Sequence, residues 1–99
     1  MNSHNQTMMQ TLDVLLETIG ILKAALTDQD DDKAHEAVSV LLMQCMSLLG
    51  PDSPVMQHFF PVMDAIKRRI DAEDLEGGLE QTVIFERQLN EIKALAPKA

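Results

Sequence analysis

The sequence predicts an all-α fold, a small antiparallel bundle of four helices or of three helices and a short helical turn. Leu, Ile, Val, Met and Ala dominate the apolar residues of this 99-residue chain, which has three Phe and neither Trp nor Tyr. Straight-chain and γ-branched side chains favour helices, whereas sheet domains usually draw on aromatic and β-branched residues. Stretches with apolar residues at helical spacing, separated by Gly, Pro, Ser and Asp, support the same fold class.

The first predicted helix runs from about Thr7 to Leu26 and carries two neighbouring apolar seams. The stronger seam consists of Met8, Leu12, Leu15, Ile19, Leu22 and Leu26. The weaker seam consists of Thr11, Val14, Thr18, Ile21 and Ala25. Two seams are typical of a helix with two neighbours in a bundle, and they fit a wide core stripe in a monomer as well as an oligomer interface. The polar residues 1–7 are expected to form a disordered tail, which leaves 8–96 as one domain.

The second predicted helix follows the acidic loop 27–32 and ends at Gly50. Acidic residues at its start accept hydrogen bonds from free amides, and glycine favours the backbone conformation that ends a helix. Its buried face is predicted to contain Ala37, Val38, Leu41, Leu42, Cys45, Leu48 and Leu49. Val40, Met43 and Met46 fall outside this face, so the helix carries more apolar surface than one buried face requires.

The third predicted helix begins after Ser53, which is expected to cap it, with a proline in the first turn. Pro61 removes a hydrogen bond and disfavours α geometry at the preceding residue. We therefore expect either a kinked helix or a short turn, 54–59, followed by a main helix, 61–71. Its core side is predicted to contain Phe59, Val62, Met63, Ile66 and Ile70.

The last predicted helix follows a turn at 71–74 and reaches about Leu95. Gly77 and Gly78 either lie within this helix or cap the third one, because two glycines cost about 2 kcal/mol of helix propensity. A shift of 44 positions aligns apolar residues of the two halves, for example Leu15 with Phe59. Two tandem helical hairpins produce such a match, so we expect this arrangement.

Charge limits the classes of partner. The formal net charge of −8 argues against a nucleic-acid surface and against binding to anionic membranes, because phosphate contacts require clustered cations. The basic cluster Lys67–Arg69 is expected to be a solvated helix face. The longest apolar stretch, 38–49, is interrupted by polar residues and too short for a membrane span. The N-terminus lacks the pattern of a signal peptide, so the cytoplasm is the expected location.

We expect neither enzymatic activity nor a bound cofactor or metal. The acidic run 28–32 spaces its carboxylates as in an EF-hand loop, but Lys33 and Ser39 occupy the positions that require Gly and Glu. The three His lack metal-ligand spacing, and no nucleophile elbow or phosphate-binding glycine loop is present. The single cysteine, Cys45, excludes an internal disulfide and is expected to be an inert thiol in an apolar face.

The sequence predicts a non-enzymatic protein-binding module, such as a small acidic adaptor, a chaperone or an anti-activator-type regulator. The surplus apolar surface, rich in adaptable methionines, suits a groove for another helix, and the acidic loop would steer a basic partner segment. The predicted contact residues are Val14, Ile21, Ala25, Val40, Met43, Met46, Asp28, Asp30, Asp31 and Asp32.

Two other functions fit the same sequence. One is an acidic inhibitor, of the immunity type or a nucleic-acid mimic, that blocks a basic target through charge. The other is a structural homodimer. Binding through charge alone weakens as ionic strength rises, whereas an apolar groove tolerates salt. Persistence of a dimer at micromolar dilution would indicate the homodimer.

Overall fold

The structure, a computed structural model, describes residues 3–50 and 52–95. These residues form four α-helices: α1 (Ser3–Thr27), α2 (Asp31–Leu49), α3 (Pro54–Asp71) and α4 (Leu75–Leu95). No β-strand occurs in this part of the chain. The prediction of an all-α bundle with four helices is confirmed.

Successive helices run antiparallel and close into a ring. α1 packs on α2, α2 on α3 and α3 on α4, and α4 returns to α1. Side-chain pairs between α1 and α4 show the antiparallel direction, since Lys23 meets Glu86 while Asp13 meets Lys93. Short connections between antiparallel neighbours are typical of an up-down-up-down bundle. The helices thus form two successive hairpins, α1–α2 and α3–α4.

One core lies inside the ring, and each helix contributes to it. Phe59 of α3 and Phe85 of α4 are fully buried, with ring centroids 5.2 Å apart in the edge-to-face arrangement that aromatic pairs favour. The other buried apolar residues are Leu12, Leu15, Ile19, Leu22, Ala25, Leu26, Ala34, Ala37, Val38, Leu41, Cys45, Met56, Met63, Ile66, Ile70 and Leu89. The stronger seam of α1 is therefore buried from Leu12 to Leu26, while the side chain of Met8 lies outside the described residues.

The ends of α2 follow from local chemistry. Asp30 is the N-cap, and its carboxylate accepts a hydrogen bond from the amide of Lys33 over 3.2 Å. Gly50 ends the helix with φ of 86°, a region that favours glycine, and its amide donates to the carbonyl of Met46. The predicted acidic start and glycine end of this helix are both confirmed.

The first helix begins earlier than the sequence pattern predicts. α1 starts at Ser3, whereas the apolar periodicity places its start near Thr7. Adding a residue to an existing helix gains one backbone hydrogen bond without a new nucleation step, so a polar segment can extend it. The expected tail, 1–7, therefore overlaps the first turn of α1, and residues 1–2 lie outside the described part of the chain. The domain end expected at residue 96 lies outside it as well.

The third helix is continuous through its internal proline. α3 spans Pro54–Asp71 and contains Pro61, so the alternative with a separate turn is wrong. Ser53 caps the helix by accepting a hydrogen bond from the amide of Met56 over 3.0 Å. Phe59 and Met63 are buried on either side of the exposed proline. Their burial holds the chain in helical register across the missing hydrogen bond, a tertiary effect that outweighs local propensity.

The fourth helix includes both glycines in its first turn, so the continuous alternative is confirmed. Asp74 accepts hydrogen bonds from the amide of Gly77 through its carboxylate and from that of Gly78 through its carbonyl, both over 2.9 Å. Gly78 is buried against Ile70 of α3 and Leu26 of α1. Capping and close packing together offset the low helix propensity of the pair.

Two core positions differ from the predicted faces. Leu48 is exposed, so α2 buries its apolar face fully only as far as Cys45. Thr82 of α4 is fully buried, and its hydroxyl donates to the carbonyl of Gly78 over 2.7 Å. This hydrogen bond satisfies the hydroxyl within its own helix, which allows a polar residue to occupy the core.

Replacing Pro61 by Ala is expected to raise the free energy of unfolding by about 1–2 kcal/mol, because residue 61 regains an amide that donates to the carbonyl of Gln57. Pro61 is exposed, so little packing is lost. Urea denaturation followed by circular dichroism measures the change. A lower stability would show that the proline ring contributes more than the missing hydrogen bond costs.

Replacing Gly78 by Ala is expected to raise the free energy of unfolding by about 1 kcal/mol, since alanine has the higher helix propensity. A Cβ atom there would lie 3.4 Å from Ile70 and 3.5 Å from Leu26, both ordinary contacts. The Gly78→Leu variant serves as the control and should lose stability, because α1 and α3 leave no room for a large side chain. Thermal and urea unfolding of the wild type and the two variants would measure whether Gly78→Ala gains stability and Gly78→Leu loses it. Lower stability of Gly78→Ala would contradict the packing argument.

Candidate functional site

A groove of about 650 Å³ follows the outer side of the seam between α1 and α2. Its lining comes from the C-terminal half of α1, the connecting loop and the first two-thirds of α2. Six of the ten predicted contact residues line it: Val14, Ile21, Ala25, Asp28, Asp30 and Val40. The fold thus brings both the predicted apolar residues of α1 and part of the acidic loop to one concave surface.

Short side chains form the floor of the groove. Thr18 and Ala25 of α1 and Ala37 of α2 line it and are buried. The hydroxyl of Thr18 donates to the side-chain carbonyl oxygen of Gln44 over 2.6 Å, which joins the two helices across the seam. Because the floor residues are small, the helices approach each other there without filling the space above.

Three partly exposed apolar side chains flank this floor. Val14 and Ile21 of α1 are 38% and 59% exposed, and Val40 of α2 is 39% exposed. Val14 and Ile21 lie two helical turns apart and therefore share one side of α1. Each retains apolar surface that a bound molecule would remove from water, and this burial would be the main favourable term in binding.

Carboxylates dominate the rim. Glu17, Asp28, Asp30 and Glu36 line the groove, and Lys33 is the one basic residue among its lining residues. Asp30 is engaged as the cap of α2, whereas Glu17, Asp28 and Glu36 have no ion pair within residues 3–50 and 52–95. The groove therefore combines an apolar interior with a negative edge.

An ion pair lies at the α1–α4 seam and another at the α3–α4 turn, and a contact between a histidine and a carboxylate lies between α2 and α3. Lys23 and Glu86 join α1 to α4 over 2.9 Å, and Arg69 bonds Asp74 at the α3–α4 turn over 3.1 Å. His35 of α2 lies 3.4 Å from Asp71 of α3. Among the described residues no such pair crosses the α1–α2 seam. Glu17, Asp28 and Glu36 therefore lie along a seam that no ion pair among the described residues bridges.

Four predicted contact residues lie outside the groove. Met43 is 68% exposed and follows Val40 by one turn of α2, so it extends the apolar strip beyond the groove. Met46 is exposed and follows Leu42, which lines a shallow depression between α2 and α3. Asp31 and Asp32 occupy the first turn of α2, where negative charge favours the helix dipole.

Several lining residues were not predicted as contact residues: Glu17, Thr18, Ala24, Lys33, Glu36, Ala37 and Gln44. A signal for two of them exists in the sequence. Glu17 precedes Ile21 by one helical turn, and Glu36 precedes Val40 by the same spacing, so each carboxylate lies beside an exposed apolar side chain. Thr18 belongs to the predicted weaker seam of α1, whereas the places of Ala37 and Gln44 opposite that seam depend on how α1 and α2 align.

The basic cluster of α3 is a solvated face whose charges are paired. Lys67, Arg68 and Arg69 are exposed and bond Asp71, Asp64 and Asp74 at 3.0, 2.9 and 3.1 Å. Arg68 and Arg69 also lie in the last turn of α3, where cations favour the helix dipole. None of the four helices, over the described residues, has the length and apolar character needed to cross a bilayer.

The described residues contain no cluster of three or more His, Cys, Asp or Glu that could hold a metal ion. His35 illustrates why, although it lies between two carboxylates. Asp31 is 3.4 Å from its Nε2 atom, and Asp71 is 3.4 Å from its Nδ1 atom. Because the carboxylates approach opposite ring nitrogens, the three groups do not converge on one point where a cation would bind.

Comparison with known proteins adds no further constraint. No family model matches the chain, and neither the curated protein sequences nor the solved structures contain a significant match. The geometry and charge of the groove are therefore the basis on which function is argued.

Cys45 is expected to resist alkylation in the folded protein. It is fully buried, and burial raises the pKa of its thiol from 9.0 to about 12. The thiolate is the reactive form, and with a pKa of about 12 only about one Cys45 thiol in a thousand is ionised at pH 9. Cys45 of the folded protein should therefore react slowly with iodoacetamide from pH 7 to pH 9, whereas Cys45 of the protein unfolded in urea should react rapidly. Mass spectrometry measures both rates. Fast labelling without denaturant would contradict the burial of this residue.

Proposed function

We propose that this protein is a non-enzymatic protein-binding module whose α1–α2 groove binds an α-helix of another protein. The observation that carries the proposal is the groove itself, where exposed apolar side chains flank a floor of small residues beneath a negative rim. A cytoplasmic adaptor, a chaperone or an anti-activator-type regulator would use such a surface. The proposal extends to the absence of catalysis, since the groove presents no nucleophile beside a base.

The shape of the groove favours a helix as its occupant. Small floor residues allow close approach, and helices typically pack with their axes about 8–10 Å apart. From Val14 to Asp28 the groove follows α1 for about 21 Å, which corresponds to about four helical turns. An amphipathic helix of this length would place successive apolar side chains between Ile21 and Val40, as in other helix-in-groove complexes.

Charge favours a different protein over a second copy of this chain. A two-fold symmetric dimer through the groove would place the carboxylates of Asp28 and Glu36 near those of its partner, and like charges without counterions repel. The chain has a net charge of −8, and its one basic cluster is already paired with its own carboxylates. A positively charged partner would not be repelled by the rim carboxylates and would supply the cations that a second copy lacks.

Apolar contact is expected to contribute more affinity than charge, which distinguishes this proposal from an acidic inhibitor. Full burial of a Val or Ile side chain contributes about 1.5–3 kcal/mol, whereas an exposed ion pair contributes about 0.2–1 kcal/mol. Complementary charge mainly accelerates encounter and selects among partners. Binding should therefore persist at high salt, although the partner should associate with the groove more slowly.

The double variant Ile21→Asp/Val40→Asp is expected to lose the partner, because it introduces two charges into the apolar part of the groove. Tagged protein would be incubated with lysate of the source cells at low and high salt, and the bound protein identified and then rebound in purified form. Ile84→Asp is a control for placing a charge on an exposed apolar position, since Ile84 of α4 is 42% exposed and does not line the groove. Circular dichroism would establish that all variants fold.

The result that contradicts the proposal is equal binding by wild type and the groove variant. Retention at low salt with complete loss at high salt would favour the acidic inhibitor. Analytical ultracentrifugation at micromolar concentration tests the third function. A wild-type dimer that becomes monomeric in the groove variant would show that a second copy occupies the groove.

A further inference from the structure

We infer that the helix bound by the groove carries basic residues at both ends of its apolar stripe, spaced three helical turns apart, with the greater positive charge at the end over the α1–α2 loop. This inference rests on the proposed function and concerns the chemistry of the partner. It follows from the positions of the carboxylates on the rim.

The rim carboxylates lie at the two ends of the groove. Asp28 directly follows α1, and its amide donates to the carbonyl of Ala24, so the helical geometry continues to this residue. Glu17 lies eleven residues earlier, about three turns or about 16 Å along the axis, and on the same side. Ile21 and Val40 lie between them, above the floor of small residues. Asp30 lies beyond Asp28, so the loop end of the groove carries the denser negative charge.

The second helix adds to the same asymmetry. Glu36 belongs to the first half of α2, and the antiparallel pairing that joins Thr18 to Gln44 places this half beside the C-terminal half of α1. Its carboxylate therefore contributes to the loop end. Lys33, the one cation on the rim, offsets part of this charge without pairing with Asp28 or Glu36.

A purely apolar helix would be rejected by this rim. Covering Glu17, Asp28 and Glu36 would remove water from carboxylates that have no ion pair among the described residues, and an unpaired charge is costly to desolvate. Basic side chains at matching positions would replace that water with charge-assisted hydrogen bonds. Residues eleven apart on the partner helix lie three turns apart on one face, as Glu17 and Asp28 do on α1.

Designed peptides test the inference directly. Four alanine-rich helical peptides of about 16–18 residues would be compared, long enough to form helices in water. The first has an apolar Leu stripe with Lys at both ends, three turns apart on the same face. The second replaces these Lys by Glu, and the third keeps the same number of Lys on the opposite face. The fourth keeps the Lys of the first but replaces the Leu stripe by Ser.

The first peptide is expected to bind at least about tenfold more tightly than the second and third at low ionic strength, as measured by fluorescence polarisation. The difference in affinity between the first peptide and the second and third should become smaller at about 0.3 M salt, where exposed charges are screened. Equal affinity of the first and third peptides, both sensitive to Ile21→Asp/Val40→Asp, would overturn the charge pattern and leave the helix-binding groove intact.

The protein variant Asp28→Lys/Glu36→Lys should lower the affinity of the first peptide by about tenfold and raise that of the second. Glu80→Lys/Glu91→Lys changes the net charge equally on exposed positions of α4 and should change neither affinity by more than about twofold. An equal effect of both variants would overturn the positional inference in favour of overall charge.

Two outcomes would instead overturn the proposed function, and with it this inference. The fourth peptide binding as tightly as the first would show that apolar contact contributes nothing. Failure of all four peptides to bind would show that the groove does not accept a helix.

Discussion

The rest of the structure depends on one constraint, that α1 carries two apolar seams and each seam needs a neighbouring helix to cover it. One seam, Leu12 to Leu26, enters the core beside the Phe59–Phe85 contact and holds the ring of helices together. The other faces α2, where the opposing floor residue, Ala37, is too small to cover it. The second seam is therefore buried at Thr18 and Ala25 but open at Ile21. The groove is the space that remains when a helix with two apolar seams meets a neighbour with small residues.

The distribution of charge follows the same division. At the α1–α4 seam Lys23 meets Glu86, and at the end of α3 Arg69 meets Asp74 of the following turn. At the α1–α2 seam the residues above the floor are apolar, and the carboxylates stand on the rim with a single lysine. An ion pair across this seam would require long side chains over the floor and would fill the groove. The described residues form no ion pair across the open groove, so its rim stays negative.

Local chemistry in the sequence was sufficient to predict the helix boundaries at Gly50 and Ser53, because capping depends on residues within one turn. It also predicted an acidic start for α2 within the loop 27–32 without singling out Asp30 as the cap. It left Pro61 and the Gly77–Gly78 pair as alternatives, since burial of Phe59, Met63 and Gly78 by other helices decided both. The exposed apolar residues of the groove were predicted from periodicity. Of the floor, Ala25 was predicted as a contact residue, whereas Ala37 was not, because its place opposite α1 follows from the packing that joins Thr18 to Gln44.

Under the proposed function, the apolar interior and the rim of the groove would make different contributions to binding. Contact with Ile21 and Val40 would contribute most of the affinity, because removal of apolar surface from water is insensitive to salt and independent of sequence detail. It would accept many amphipathic helices with similar strength. Under the proposed function the rim carboxylates would contribute selectivity, since a helix without matching cations would have to desolvate Glu17 and Asp28 without compensation. A small domain that binds through such a groove would gain specificity more readily by penalising the wrong partners than by adding contacts to the right one.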